Sequence, residues 1–181
     1  GSQTLMIANS SGWLQPTLDD IRAGLAKRGI GILGGEIYPG AAPNTPREDV
    51  YRIRGLLLKH QPQSVIVVGG GSTIDAVKAA NVLAVLHDED PDLDAYFGTV
   101  LVTKALRRTG KQLYPMIAVQ TAASSGAHLT KYSNVTDTTV GQKKLIVDDA
   151  IVPARAVFDY RVTSSAPMQL TLDGAFDGLS H

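Results

Sequence analysis

The sequence predicts an α/β fold with a doubly wound, mostly parallel sheet, and three observations carry that expectation. Val65, Ile66, Val67 and Val68 form an unbroken β-branched run, as in a central strand covered on both faces. Three glycines and a helical apolar pattern follow it directly, in residues 63–86 (QSVIVVGGGSTIDAVKAANVLAVL). Further apolar runs at residues 4–8 (TLMIA), 30–33 and 115–119 (PMIAV) alternate with helical patterns, the order expected of strand–helix–strand units.

Taken in order, residues 4–8 read as a buried strand ended by the turn formers Asn9-Ser10-Ser11-Gly12. Leu18, Ile21 and Leu25 predict an amphipathic helix from about Pro16, stopped by Gly29, and residues 30–33 a short second strand. In residues 38–50, a loop rich in Pro and Gly, Thr45 is expected to cap a helix beginning at Pro46, with Val50, Ile53, Leu56 and Leu57 on its buried face. The acidic run at residues 87–98 reads as solvated surface. A helix is expected over residues 96–106, closed by Arg107, Arg108, Thr109 and Gly110. Residues 132–160 read as strands with a turn near Gly141, and a last helix is expected from Leu170.

Composition excludes several classes. Lys and Arg total 17 and so do Asp and Glu, so no global field draws the chain to nucleic acid or an anionic membrane. No cysteine is present, which removes disulfides and thiolate metal sites and leaves His, Asp and Glu as ligands. No apolar run approaches a membrane span and no signal peptide is evident; Gly1-Ser2 reads as a cloning scar, and a cytoplasmic location is expected. The length suits one α/β domain.

Gly69, Gly70 and Gly71 permit a tight turn with positive φ and close approach of a ligand to the backbone. Ser72 is expected as the helix N-cap with Asp75 as its capping-box partner, and the free N–H groups of that turn suit a phosphate. The competing reading is that the glycines serve only strand-to-helix packing. Neither G-x-G-x-x-G, which would need glycine at Ile74, nor a Walker A loop fits. Asn9 and Ser10, not an acid, follow the first strand. That leaves room for a ribose 2′-phosphate and favours NADP over NAD, unless Asn9 only makes the turn.

GGGSTIDAVKAA resembles the GGGSxxDxxK motif of iron-containing (group III) alcohol dehydrogenases, in which the glycine turn binds the cofactor pyrophosphate. QTAASSGAHLT resembles the family's PTTAGTGSEVT. Thr121, Ser125, Gly126 and Thr130 match its pattern, Ala122 and Ser124 depart from a Thr and a Gly, Gln120 replaces Pro and His128 replaces Glu. A lone His of this kind is more often structural than catalytic. By spacing to Pro153, Lys143 matches a lysine near the cofactor, with Lys144 the alternate; Asp159 matches an aspartate whose following proline is here Tyr160.

AFDGLSH resembles GMDALTH, whose Asp and His bind the divalent metal, which implies Asp177 and His181 as ligands of Fe(II) or Zn(II). The resemblance implies a Rossmann-like cofactor domain over residues 1–163, and over residues 164–181 the first helix of an all-helical metal-binding domain of which the rest is missing. It further implies an NAD(P)-dependent alcohol dehydrogenase or aldehyde reductase acting on small alcohols or aldehydes as a homodimer or higher homo-oligomer, incomplete and inactive as this chain alone. The alternatives are a nucleotide-binding module without catalysis and a metal-dependent lyase of the dehydroquinate-synthase type.

Overall fold

A computed structural model describes residues 1–164 and 166–180. In chain order the elements are β1 (Gln3–Ala8), α1 (Gln15–Lys27), β2 (Gly31–Ile32), β3 (Tyr38–Pro39), α2 (Arg47–His60), β4 (Ser64–Gly69), α3 (Gly71–Val85), β5 (Gly98–Thr99), α4 (Leu101–Thr109), β6 (Met116–Gln120), β7 (Tyr132–Asp137), β8 (Gln142–Val147), β9 (Arg155–Val157) and α5 (Met168–Ser180). A six-stranded parallel sheet runs β2-β1-β4-β6-β9, with β3 also paired to β1. A smaller sheet, β5-β8-β7, contains the antiparallel β7–β8 pair.

Alternation along the central strands divides the core between the two faces. Leu5, Ile7, Val65, Val67, Met116 and Ala118 join α2 and α3 in one apolar cluster. Met6, Ala8, Ile66, Val68 and Val119 join Leu14 and Leu18 in the other. The doubly wound expectation therefore holds. Helix α3 is buried on almost every side, Thr73 to Ala84 without a break, because the sheet, α2 and β7 enclose it. Its polar members find partners, Asp75 Oδ1 excepted: Asn81 donates to the Tyr114 carbonyl at 2.9 Å and accepts from the Tyr114 N–H at 3.1 Å.

Two local expectations change. The helix expected over residues 96–106 is instead a 3-10 turn at Leu93–Tyr96, the short strand β5, and α4. Pairing of β5 with β8 sets the break, and Asp148 accepts from the Thr103 N–H at 2.8 Å, capping α4 from across the fold. Gly110, at φ 69°, closes α4 as expected.

Thr45 does not cap α2, which starts at Arg47 with Pro46 at the N-cap. Thr45 sits at φ 53° and its hydroxyl donates to the Ser72 carbonyl at 3.1 Å, tying the loop to α3. The acidic run is exposed yet paired: Asp94 meets Lys144 at 2.6 Å and Arg47 at 3.1 Å, and Glu89 meets Arg108 at 2.7 Å. No helix among the described residues is long and apolar enough to cross a membrane.

Candidate functional site

At the C-terminal ends of the parallel strands lies a cavity of about 960 Å³, the place where open α/β sheets bind ligands. Gly71, Ser72, Asp75, Ser125, Thr130 and Lys143 line it, and Asp177 of α5 reaches its edge. A hollow of about 160 Å³ shares Gly71 and Ser72 and adds Asn9 and Gly70. Gly69 and the buried Thr121 line neither; the Thr121 N–H donates to the Gly69 carbonyl at 3.1 Å and joins the two strand ends. His181 lies outside the described residues.

The glycines act by close approach. None of the three has positive φ, contrary to the expected turn. A Cβ on Gly69 would stand 2.8 Å from Thr73 Cβ, and one on Gly71 2.9 Å from Ser125 Cβ. One on Gly70 would make ordinary contact with Ala122 at 3.5 Å.

The expected capping box is absent. Gly70 is the N-cap and no side chain caps α3, so its first N–H groups keep their capacity to bind an anion. Ser72 lies inside the helix, where its Oγ accepts from the Asn44 N–H at 3.0 Å. Asp75 points away from the helix start and accepts from the Asn134 N–H at 3.1 Å. Asn9 makes its own turn, its Oδ1 accepting from the Ser11 N–H at 2.8 Å and hydroxyl at 2.7 Å.

Lys143 Nζ donates to Asn44 Oδ1 at 3.2 Å, whereas Lys144 turns away to Asp94. Asn44, Thr45, Ser124 and Asn134 also line the cavity and were not singled out from the sequence as cofactor contacts. Asn44 and Thr45 belong to the Pro- and Gly-rich loop of residues 38–50, whose expected role is only to cap the next helix. Ser124 has φ 84°, which costs a non-glycine residue on the order of 1–3 kcal/mol. Its Oγ donates to Asp177 Oδ2.

Beneath the cavity, Lys78 is 1% exposed and donates to the carbonyls of Thr130 at 2.7 Å and Tyr132 at 2.8 Å. Burial lowers its pKa to about 8, opposed by Asp75. Burial likewise pushes the Asp75 carboxyl up to about 6, against the Asn134 N–H and Lys78. His128 is also buried, with neither ring nitrogen hydrogen-bonded; burial, then Lys78, lowers its pKa. It packs edge-on to Phe158 at 4.8 Å and does not line the cavity.

The raised Asp75 pKa has a measurable consequence. Between pH 3.8 and about 6 the folded protein holds a proton that the unfolded chain has released, so stability falls as pH rises through that window. The expected loss is on the order of 2–3 kcal/mol. Asp75→Asn should flatten that part of the urea-unfolding free energy against pH. Equal slopes in the two proteins would contradict the assignment.

The iron-containing alcohol dehydrogenase family model matches residues 1–160. The NAD-dependent methanol dehydrogenase of Bacillus methanolicus is 26% identical over 145 residues, covering 80% of this chain and 35% of the relative. An iron-containing alcohol dehydrogenase structure from Thermotoga maritima aligns with TM-score 0.80 at 27% identity, covering 100% of this chain and 46% of its own. Sulfoacetaldehyde reductase from Bifidobacterium kashiwanohense, solved with NAD+, aligns with TM-score 0.74 at 25% identity, covering 97% and 43%. The chain spans 35% and 40% of the first two curated relatives. By sequence and fold, this chain belongs to the iron-containing alcohol dehydrogenase family.

Proposed function

We propose that the chain is the nucleotide-binding part of an NAD(P)-dependent, divalent-metal-dependent alcohol dehydrogenase or aldehyde reductase. The observation that carries this is the 960 Å³ cavity, where the uncapped start of α3 faces Lys143 and the hydroxyls of Ser125 and Thr130. The N–H groups at Gly71 and Ser72 would bind the pyrophosphate. Lys143 would neutralise phosphate or hold a sugar hydroxyl, and Ser125 and Thr130 would orient the rest. Asn9 would border the adenosine ribose, since the hollow it shares with Gly70 has no carboxylate in its lining. This leaves room for NADP, while Asn9 spends its Oδ1 on its own turn and three relatives are named with NAD or NADH or solved with NAD+.

Among the described residues no group of three His, Cys, Asp or Glu could hold a metal. Asp177, with His181 beyond the described residues, fits part of a donor set, and two donors fall short of a tight site. The remaining donors would come from a helical domain of which α5 is the first helix. Fe(II) or Zn(II) bound there would supply a Lewis acid to the oxygen of a small alcohol or aldehyde. The exposed Met168, Phe176 and Leu179 of α5 would pack on that domain or in a homo-oligomer. That incomplete donor set also favours a second reading for this chain alone, a nucleotide-binding module without catalysis.

Calorimetric titration of NADPH and NADH separately, with and without Fe(II) or Zn(II), tests the reading. Micromolar binding independent of metal, tighter for NADPH, is expected. Binding of neither nucleotide would overturn it, and tighter NADH binding would overturn the preference assigned through Asn9.

A further inference from the structure

Helix α5 has no buried residue among those described, and it meets the loop after β6 at close range. A Cβ on Gly174 would lie 3.1 Å from Ala123 Cβ, and one on Gly178 3.7 Å from Ser124 Cβ. These two small residues, one turn apart, bring the helix close to the loop. Asp177, between them, accepts the hydrogen bond from Ser124 Oγ. Ser124 and Asp177 both line the cavity.

Ser124 holds the left-handed backbone, φ 84°, that glycine adopts without steric cost. The family motif this segment resembles has glycine at that position. A serine there retains strain that glycine would relieve, and the interaction it gains in exchange is the one its hydroxyl makes. We propose that Ser124 is a positioning residue: its hydroxyl fixes the Asp177 carboxylate, and α5 with it, against the wall of the cavity, and this bond offsets the strain of the serine backbone. Among the described residues α5 buries no side chain, and elements with little buried surface open first.

The test compares Ser124→Gly, Ser124→Ala and Ser124→Asn by hydrogen exchange of the α5 amides, by thermal midpoint and by NADPH and NADH affinity. Ser124→Gly relieves the strain and removes the bond, so its midpoint should hold or rise while α5 exchange accelerates at least tenfold. Ser124→Ala keeps the strain and loses the bond, so its midpoint should fall and α5 exchange accelerate equally. Asn tolerates left-handed backbone and carries an amide donor, so Ser124→Asn should restore slow exchange.

A purely structural role would move midpoint and exchange together in every variant. Wild-type α5 exchange in Ser124→Gly, or no recovery in Ser124→Asn, would overturn the proposal. Only the affinity readout rests on the nucleotide reading: if the wild-type chain binds neither nucleotide that reading falls, while the exchange rates still decide the role of Ser124.

Discussion

Lys78→Met should destabilise the chain by about 3–5 kcal/mol, the cost of breaking a buried charge cluster by removing one member. At about 2–4 °C per kcal/mol for a domain of this size, the melting point should drop by about 10 °C. Methionine fills nearly the same volume, so cavity formation contributes little. What is lost is the ammonium that spans the Thr130 and Tyr132 carbonyls and lies beside Asp75.

Two controls separate charge from packing. Adding Asp75→Asn should recover part of the loss, because the single variant leaves a buried carboxylate without its cation, and the double-mutant cycle isolates that coupling. Lys78 is also lowered from 10.5 to about 8. The unfolded chain therefore binds more protons between those values, and wild-type stability gains with rising pH there. Lys78→Met should lack that gain. A urea midpoint equal to wild type at pH 7 would show that the cluster contributes nothing.

The same lysine shows where sequence reading stops. It is the last residue of the GGGSxxDxxK resemblance, but its partners are backbone carbonyls more than 50 positions away, which no local pattern reveals. The parallel strands and α3 were legible because β-branched runs and helical apolar spacing are local signals, whereas the glycine turn expected between them is not formed with positive φ. The β5–α4 boundary was not, because β8 and Asp148 set it from a distance. In the site, Gly71, Ser72, Asp75, Ser125, Thr130 and Lys143 converge on one cavity. Asn44 and Asn134 escaped notice because isolated asparagines in loop or strand carry no spacing signal. The capping box failed because Gly70, not Ser72, is the N-cap, while the backbone N–H groups of Asn44 and Asn134 bond the side chains of Ser72 and Asp75.

Gly71→Val should weaken NADPH and NADH at least 100-fold, about 2.8 kcal/mol, while the chain stays folded. The first side-chain atom would already stand 2.9 Å from Ser125 Cβ and 3.2 Å from its Oγ, forcing the loop after β6 away from the start of α3. The two methyl groups that valine carries on that Cβ add bulk where the pyrophosphate would meet the backbone N–H groups. Gly71→Ala, with the same first contact and less bulk, should lose about tenfold, or 1.4 kcal/mol. Gly70→Ala makes only a 3.5 Å contact with Ala122 and should melt like wild type, which controls for helix propensity at the α3 start. Circular dichroism and the urea midpoint establish that each variant is folded before its affinity is compared. Wild-type nucleotide affinity in folded Gly71→Val would mean that the phosphates bind elsewhere and that these glycines serve only the packing of strand, helix and loop.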